Sequence, residues 1–136
     1  MKLQVLSLTE WKEVAVNCHR LAFKEERPAD LITCDYAVVV TSDTDQIMGF
    51  ATIIEITKTS AYMQHGAVLP ETQGTIKTAR LYHLILAFLK EQYERLTTRI
   101  LNTNKAMLKL SLSADLIVHG IDCMGGETFL NLMWEK

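Results

Sequence analysis

The run Val68-Leu69-Pro70-Glu71-Thr72-Gln73-Gly74-Thr75-Ile76-Lys77-Thr78-Ala79-Arg80 decides how the chain is read. Before it, Ala61–Val68 reads as a strand. After it, from about Thr75 to Tyr93, Leu81, Leu84, Ile85, Phe88 and Leu89 recur at helical spacing, while Lys90, Glu91 and Glu94 face water. The join is therefore strand, small-residue turn, helix N-terminus. Several backbone N–H groups point one way at such a join, beside the positive pole of the helix dipole, and that environment suits a phosphate.

Working outward, Lys2–Leu6 alternates polar and apolar residues and predicts a short strand. Ser7 and Glu10 have capping-box spacing, and Trp11, Val14, Cys18 and Leu21 give the helix after them an apolar face. A charged cluster, Lys24–Arg27, ends at Pro28. Tyr36–Val40 and Ile47–Ile56 form a predicted hairpin about the turn residues Ser42–Asp45, with Gly49 inside the second strand. Beyond the central helix come a strand at Thr97–Leu101, a helix capped by Asn104 and running to about Ser113, and a hairpin of Leu116–Cys123 with Thr128–Trp134. The order β-α-(α)-β-β-β-α-β-α-β-β predicts an α+β fold, a three-layer arrangement with a mixed, mostly antiparallel sheet flanked by helices.

The 136 residues fit one domain, residues 1–136, with 49% apolar and 22% charged side chains and a formal net charge of −2. Lys and Arg are scattered, which argues against nucleic-acid binding, and no apolar run approaches the roughly 20 residues of a membrane span. The N-terminus is too short and polar to read as a signal peptide. Cys18, Cys34 and Cys123 are odd in number and far apart, as expected of reduced thiols in a cytoplasmic protein. His19, His83 and His119 sit on separate elements without metal-ligand spacing, so no metal site is expected.

This order of elements resembles the GNAT acyltransferase family over nearly the whole chain. Ile47-Met48-Gly49-Phe50-Ala51 looks like that family's third-strand signature. Ala67-Val68-Leu69-Pro70-Glu71 looks like the end of its fourth strand, and Gln73–Thr78 falls on its pyrophosphate loop. Asn104 and Leu110 match its last-helix pattern, where Met107 replaces Ala and Ser111 replaces Tyr. The C-terminal half also distantly resembles small GNAT-like proteins of bacteriophages.

The resemblance implies an N-acyltransferase using acetyl-CoA or CoA as co-substrate and acting on an amine of a small molecule or a protein. Backbone groups of Ala67 and Val68 would hold pantetheine, and Gln73, Gly74, Thr75, Ile76, Lys77 and Thr78 the pyrophosphate, with Asn104 nearby. Ile76 and Thr78 stand where the family carries glycines, so the loop is degenerate: Ile76 sets a β-branched side chain beside the phosphate path. Ser111 would reach the departing sulfur only through water; otherwise its hydroxyl turns back to a helix carbonyl. Strand alternation puts Tyr62, Gln64, Gly66 and Val68 on one face and His65 on the other. Proton removal would then run through water near Tyr62, Gln64 or Glu55. The alternative is a catalytically inactive GNAT-like binding or structural module. A homodimer through the terminal hairpin or an edge strand is a further expectation.

Overall fold

The computed structural model describes residues 1–72, 74 and 76–136. Its elements follow the predicted order: β1 (Lys2–Ser7), α1 (Leu8–Phe23), a 3-10 turn (Ala29–Leu31), β2 (Tyr36–Thr41), β3 (Ile47–Thr57), β4 (Ser60–Val68), α2 (Ile76–Gln92), β5 (Arg95–Leu101), α3 (Lys105–Ser113), β6 (Ile117–Met124) and β7 (Glu127–Glu135). Among the described residues the strands form one seven-stranded sheet in the order β1-β2-β3-β4-β5-β7-β6. β4 and β5 run parallel, and the other neighbouring pairs are antiparallel. A parallel neighbour requires a long crossover, and α2 supplies it.

Local chemistry explains the element ends. Ser7 Oγ accepts from the Glu10 N–H at 3.2 Å while the Ser7 N–H donates to Glu10 Oε1 at 2.9 Å, the reciprocal capping box. α1 stops where Lys24 turns left-handed, at φ 53°. Asn104 caps α3 by accepting from the Met107 N–H at 3.3 Å. In the last hairpin Gly125 and Gly126 hold φ of 58° and 80°, the conformation a two-residue type I′ turn demands.

Two cores sandwich the sheet. On one face α1 sets Trp11, Ala15 and Cys18 against Val39, Phe50 and Leu69, with the Trp11 and Phe50 rings 4.9 Å apart. On the other, Leu81, Ile85, Leu86 and Leu89 of α2 meet Val38, Val40, Ile53, Met63, Leu96 and Leu132. The buried stripe of α1 differs from the expected one. It runs through Trp11, Ala15, Cys18 and His19, and Leu21 is 45% exposed, because the sheet beneath the helix end presents aromatic rings that His19 meets. Burial pushes the Cys18 thiol up to about 11, which keeps it an inert core group. No helix among the described residues is long and apolar enough to cross a membrane.

Candidate active site

The strands that carry the site part company halfway along. β4 and β5 pair through Ser60–Met63 and Arg95–Thr98, yet β4 continues to Val68 and β5 to Leu101. The last rung is closed by the Thr98 hydroxyl donating to the Met63 carbonyl at 3.1 Å. Past it the strands diverge around a cleft of about 400 Å³. From Gln64 to Ala67, β4 has no strand partner on its β5 side.

An extra residue in β4 reshapes what faces the cleft. Met63 pairs with Ile53 and His65 with Thr52, so two steps on β4 match one on β3 and Gln64 is a bulge. Thr52 fills the gap: its hydroxyl accepts from the His65 N–H at 3.1 Å and donates to Gln64 Oε1 at 3.2 Å. The bulge inverts the alternation beyond it, correcting the parity expected from sequence. Tyr62, His65 and Ala67 share one face, and Met63, Gly66 and Val68 share the other.

The cleft brings together Tyr62, Gln64, Ala67, Val68 and Asn104 of the expected site residues. It does not bring in Glu55, whose proposed role as a water-mediated base is corrected. Glu55 shares a rung with Ala61 near the far end of β4, and its carboxylate accepts from Tyr93 Oη at 2.5 Å, with Tyr36 Oη 2.6 Å from that same phenol. Ser111 is fully buried rather than cleft-lining, and its hydroxyl meets neither a helix carbonyl nor the cleft. It lies 2.6 Å from Tyr82 Oη.

Tyr82 is a residue that sequence reasoning missed. It sits on α2 beside Leu81, at the border of the stripe Leu81, Ile85 and Leu89, and lines the cleft. The signal was present as a tyrosine flanking a helical core stripe. Burial pushes its phenol above the ordinary tyrosine value, with the Ser111 hydrogen bond opposing that rise. The phenol is therefore protonated throughout the neutral range.

At the mouth of α2, Gln73 and Thr75 lie outside the described residues. Gly74 adopts φ +73°, a conformation costly for any residue with a Cβ. Ile76 is 71% exposed. The Thr78 hydroxyl donates to the Thr72 carbonyl at 2.8 Å, so it braces the loop against the helix. Lys77 is exposed on the first helical turn.

On the Tyr62 face, Arg27 Nη1 donates to His65 Nε2 at 3.1 Å and Arg27 Nε to Glu25 Oε1 at 2.7 Å. Arginine can only donate, so neutral His65 carries its proton on Nδ1, and its basic nitrogen is occupied. The His65 and His19 rings meet edge-on at 5.4 Å. Burial and then Arg27 hold both histidines below the ordinary value of 6.5. The unfolded chain binds their protons more readily, so their contribution to stability is complete above that value and is lost as pH falls through it. Thermal melts between about pH 8 and pH 5 should show Tm falling as the pH drops below roughly 6.5, with a shallower fall in His65→Gln. An unchanged slope in that variant would remove His65 from this account.

No protein-family model and no curated protein sequence matches the chain. Solved structures do. The Escherichia coli ribosomal-protein-S18-alanine N-acetyltransferase matches with a TM-score of 0.78 at 16% identity, covering 98% of this chain and 92% of that one. A chimera of the Vibrio cholerae spermidine N-acetyltransferase SpeG with hSSAT gives 0.77 at 14%, covering 98% and 94%. A GNAT family acetyltransferase from Elizabethkingia anophelis, solved with acetyl-CoA bound, gives 0.62 at 14%, covering 74% and 76%. The match to a nourseothricin acetyltransferase, at a TM-score of 0.60 and 18% identity, takes in 74% of this chain and 64% of that one. The phage-type alternative draws no support from these neighbours. With the sheet order, the parting of β4 from β5 and these superpositions in agreement, the chain has the GNAT fold.

Proposed function

We propose that residues 1–136 form one acyltransferase domain that moves an acetyl group from acetyl-CoA to a primary amine. The observation that carries this reading is the cleft between the diverging β4 and β5, with Tyr82 in its lining. The β4 edge from Gln64 to Ala67 offers backbone donors and acceptors to an extended amide-bearing arm. The turn through Gly74 and the first turn of α2, with Lys77 and the Thr78 brace, would receive the pyrophosphate, and Gln73 and Thr75 belong to the same proposal. Ile76 is 71% exposed, so its side chain is turned largely to solvent. A cytoplasmic setting belongs to this reading too, on the free thiols of Cys18, Cys34 and Cys123.

Acetyl-CoA supplies an acyl group activated as a thioester. Tyr62 and Gln64 flank the point where the strands separate and orient the amine and the water that takes its surplus proton. The amine nitrogen bonds to the acyl carbon, the carbon–sulfur bond breaks, and the electron pair leaves on sulfur. Tyr82 then gives its phenolic proton to that sulfur and regains one from water. With its hydroxyl as the donor in its 2.6 Å contact with Tyr82 Oη, Ser111 would aim the phenol and steady its anion.

Acetyl-CoA at about a hundred times its Kd should stabilise the fold by about 2.7 kcal/mol, a Tm rise of roughly 5–15 °C. Differential scanning fluorimetry reads this directly. No shift with saturating acetyl-CoA or CoA would sink the proposal.

A further inference from the structure

Among the described residues, the cleft is lined by no aspartate or glutamate, and Arg99 is its one formally charged side chain. Arg99 stands one residue past Thr98, the last rung shared by β4 and β5, on the strand face opposite the α2 core. Its guanidinium carbon sits over the Phe129 ring, 4.0 Å from the centroid, a cation–π contact.

The guanidinium's donors are poorly used. Nε is buried without a hydrogen-bond partner. The nearest carboxylate, Asp122, is 3.9 Å away, beyond hydrogen-bond reach, and its Oδ2 already accepts from Asn131 Nδ2 at 2.9 Å. Nη2 reaches the Met124 sulfur at 3.6 Å, a weak acceptor. A guanidinium seated over Phe129 where two strands open, with no carboxylate among the described residues within hydrogen-bond reach, fits an anionic group of a bound ligand. Arg27, which donates to the cleft-lining His65, adds positive potential that Glu25 partly offsets. A polyamine would bring its second ammonium group into a cleft with no carboxylate to receive it.

Resting on the acyltransferase reading, we propose that the acceptor amine also carries a carboxylate, as an amino acid does, and that Arg99 binds that carboxylate. Arg99 thus selects the substrate class.

The test compares each of the twenty protein L-amino acids with its own amide, which keeps the amine and removes the negative charge, under saturating acetyl-CoA. The favoured acid should exceed its amide in kcat/KM by roughly thirtyfold, the scale of a charge-assisted hydrogen bond. In Arg99→Met, which keeps an apolar stem on Phe129, the acid-to-amide ratio should approach one. In Arg99→Lys, which keeps the charge and loses the guanidinium, the ratio should be intermediate. Thermal melts of both variants establish that they fold. Preference for amides, or for spermidine and putrescine over every acid, overturns the proposal, as does an Arg99→Met ratio equal to wild type. Binding of acetyl-CoA with no turnover of any acid also counts against it and leaves the acyltransferase reading standing. Failure to bind acetyl-CoA instead removes the reading beneath it.

Discussion

Tyr82→Phe should lower kcat about a hundredfold with little change in the KM for acetyl-CoA, since a positioned general acid is typically worth 10²–10⁴. The expectation rests on where the phenol is. Tyr82 reaches the cleft from α2, and its oxygen is 2.6 Å from the hydroxyl of the fully buried Ser111. Phenylalanine keeps the ring and its packing and removes the proton. It also strands the Ser111 hydroxyl, a buried polar group without its partner, at about 1–3 kcal/mol of stability. Melting curves must therefore accompany the kinetics.

Ser111→Ala separates the roles. It keeps the acid and loses its anchor, so kcat should fall by only about tenfold, the Tyr82→Phe loss should not multiply with it, and the double variant should resemble Tyr82→Phe alone. The pH profile gives an independent check. The folded phenol titrates above the ordinary 10, so wild-type activity should not decline through neutral pH on its account. A Tyr82→Phe enzyme with unaltered kcat would remove the phenol from the mechanism.

The fold was legible because its punctuation is local. Ser7 and Glu10 announce α1, Asn104 announces α3, and the pair Gly125-Gly126 announces the final hairpin; each did what its side chain or φ preference demands. The site was legible only in part. Tyr62, Gln64, Ala67, Val68 and Asn104 line one cleft. Alternation cannot reveal a bulge, and one extra residue at Gln64 moved His65 onto the face of Tyr62. A pairing across 29 residues, Tyr82 with Ser111, has no local signature either. Glu55 was misread because closeness to a strand end in sequence says nothing about which end opens. It lies where β4 and β5 are still paired, and Tyr93 holds it.

The second large effect is structural and comes from Gly49. A Cβ built there would lie 2.8 Å from both terminal carbons of Leu81 and 2.9 Å from the Ala67 carbonyl oxygen. Real side chains do not tolerate such distances, so something must move. Leu81 is 1% exposed and wedged in the α2 core, so it cannot swing to solvent. The Ala67 oxygen is backbone, on the stretch of β4 proposed to hold pantetheine. Gly49→Ala should therefore cost about 3 kcal/mol, the upper range for overpacking, and lower Tm by roughly 10 °C. Its damage should also reach function, because lifting α2 off β3 moves Tyr82, the next residue after Leu81, together with the turn at Gly74. Acetyl-CoA should accordingly give Gly49→Ala a smaller thermal shift than wild type at equal concentration. Leu81→Ala alone opens a cavity worth about 2–5 kcal/mol, but combined with Gly49→Ala it makes room for the new methyl group. The double variant should thus be more stable than the sum of the two losses by about 1–2 kcal/mol, the coupling expected of residues in contact. Rescue should stay incomplete, because the clash with the Ala67 carbonyl persists. Additive losses would show that α2 does not need the bare backbone at Gly49 to reach the sheet.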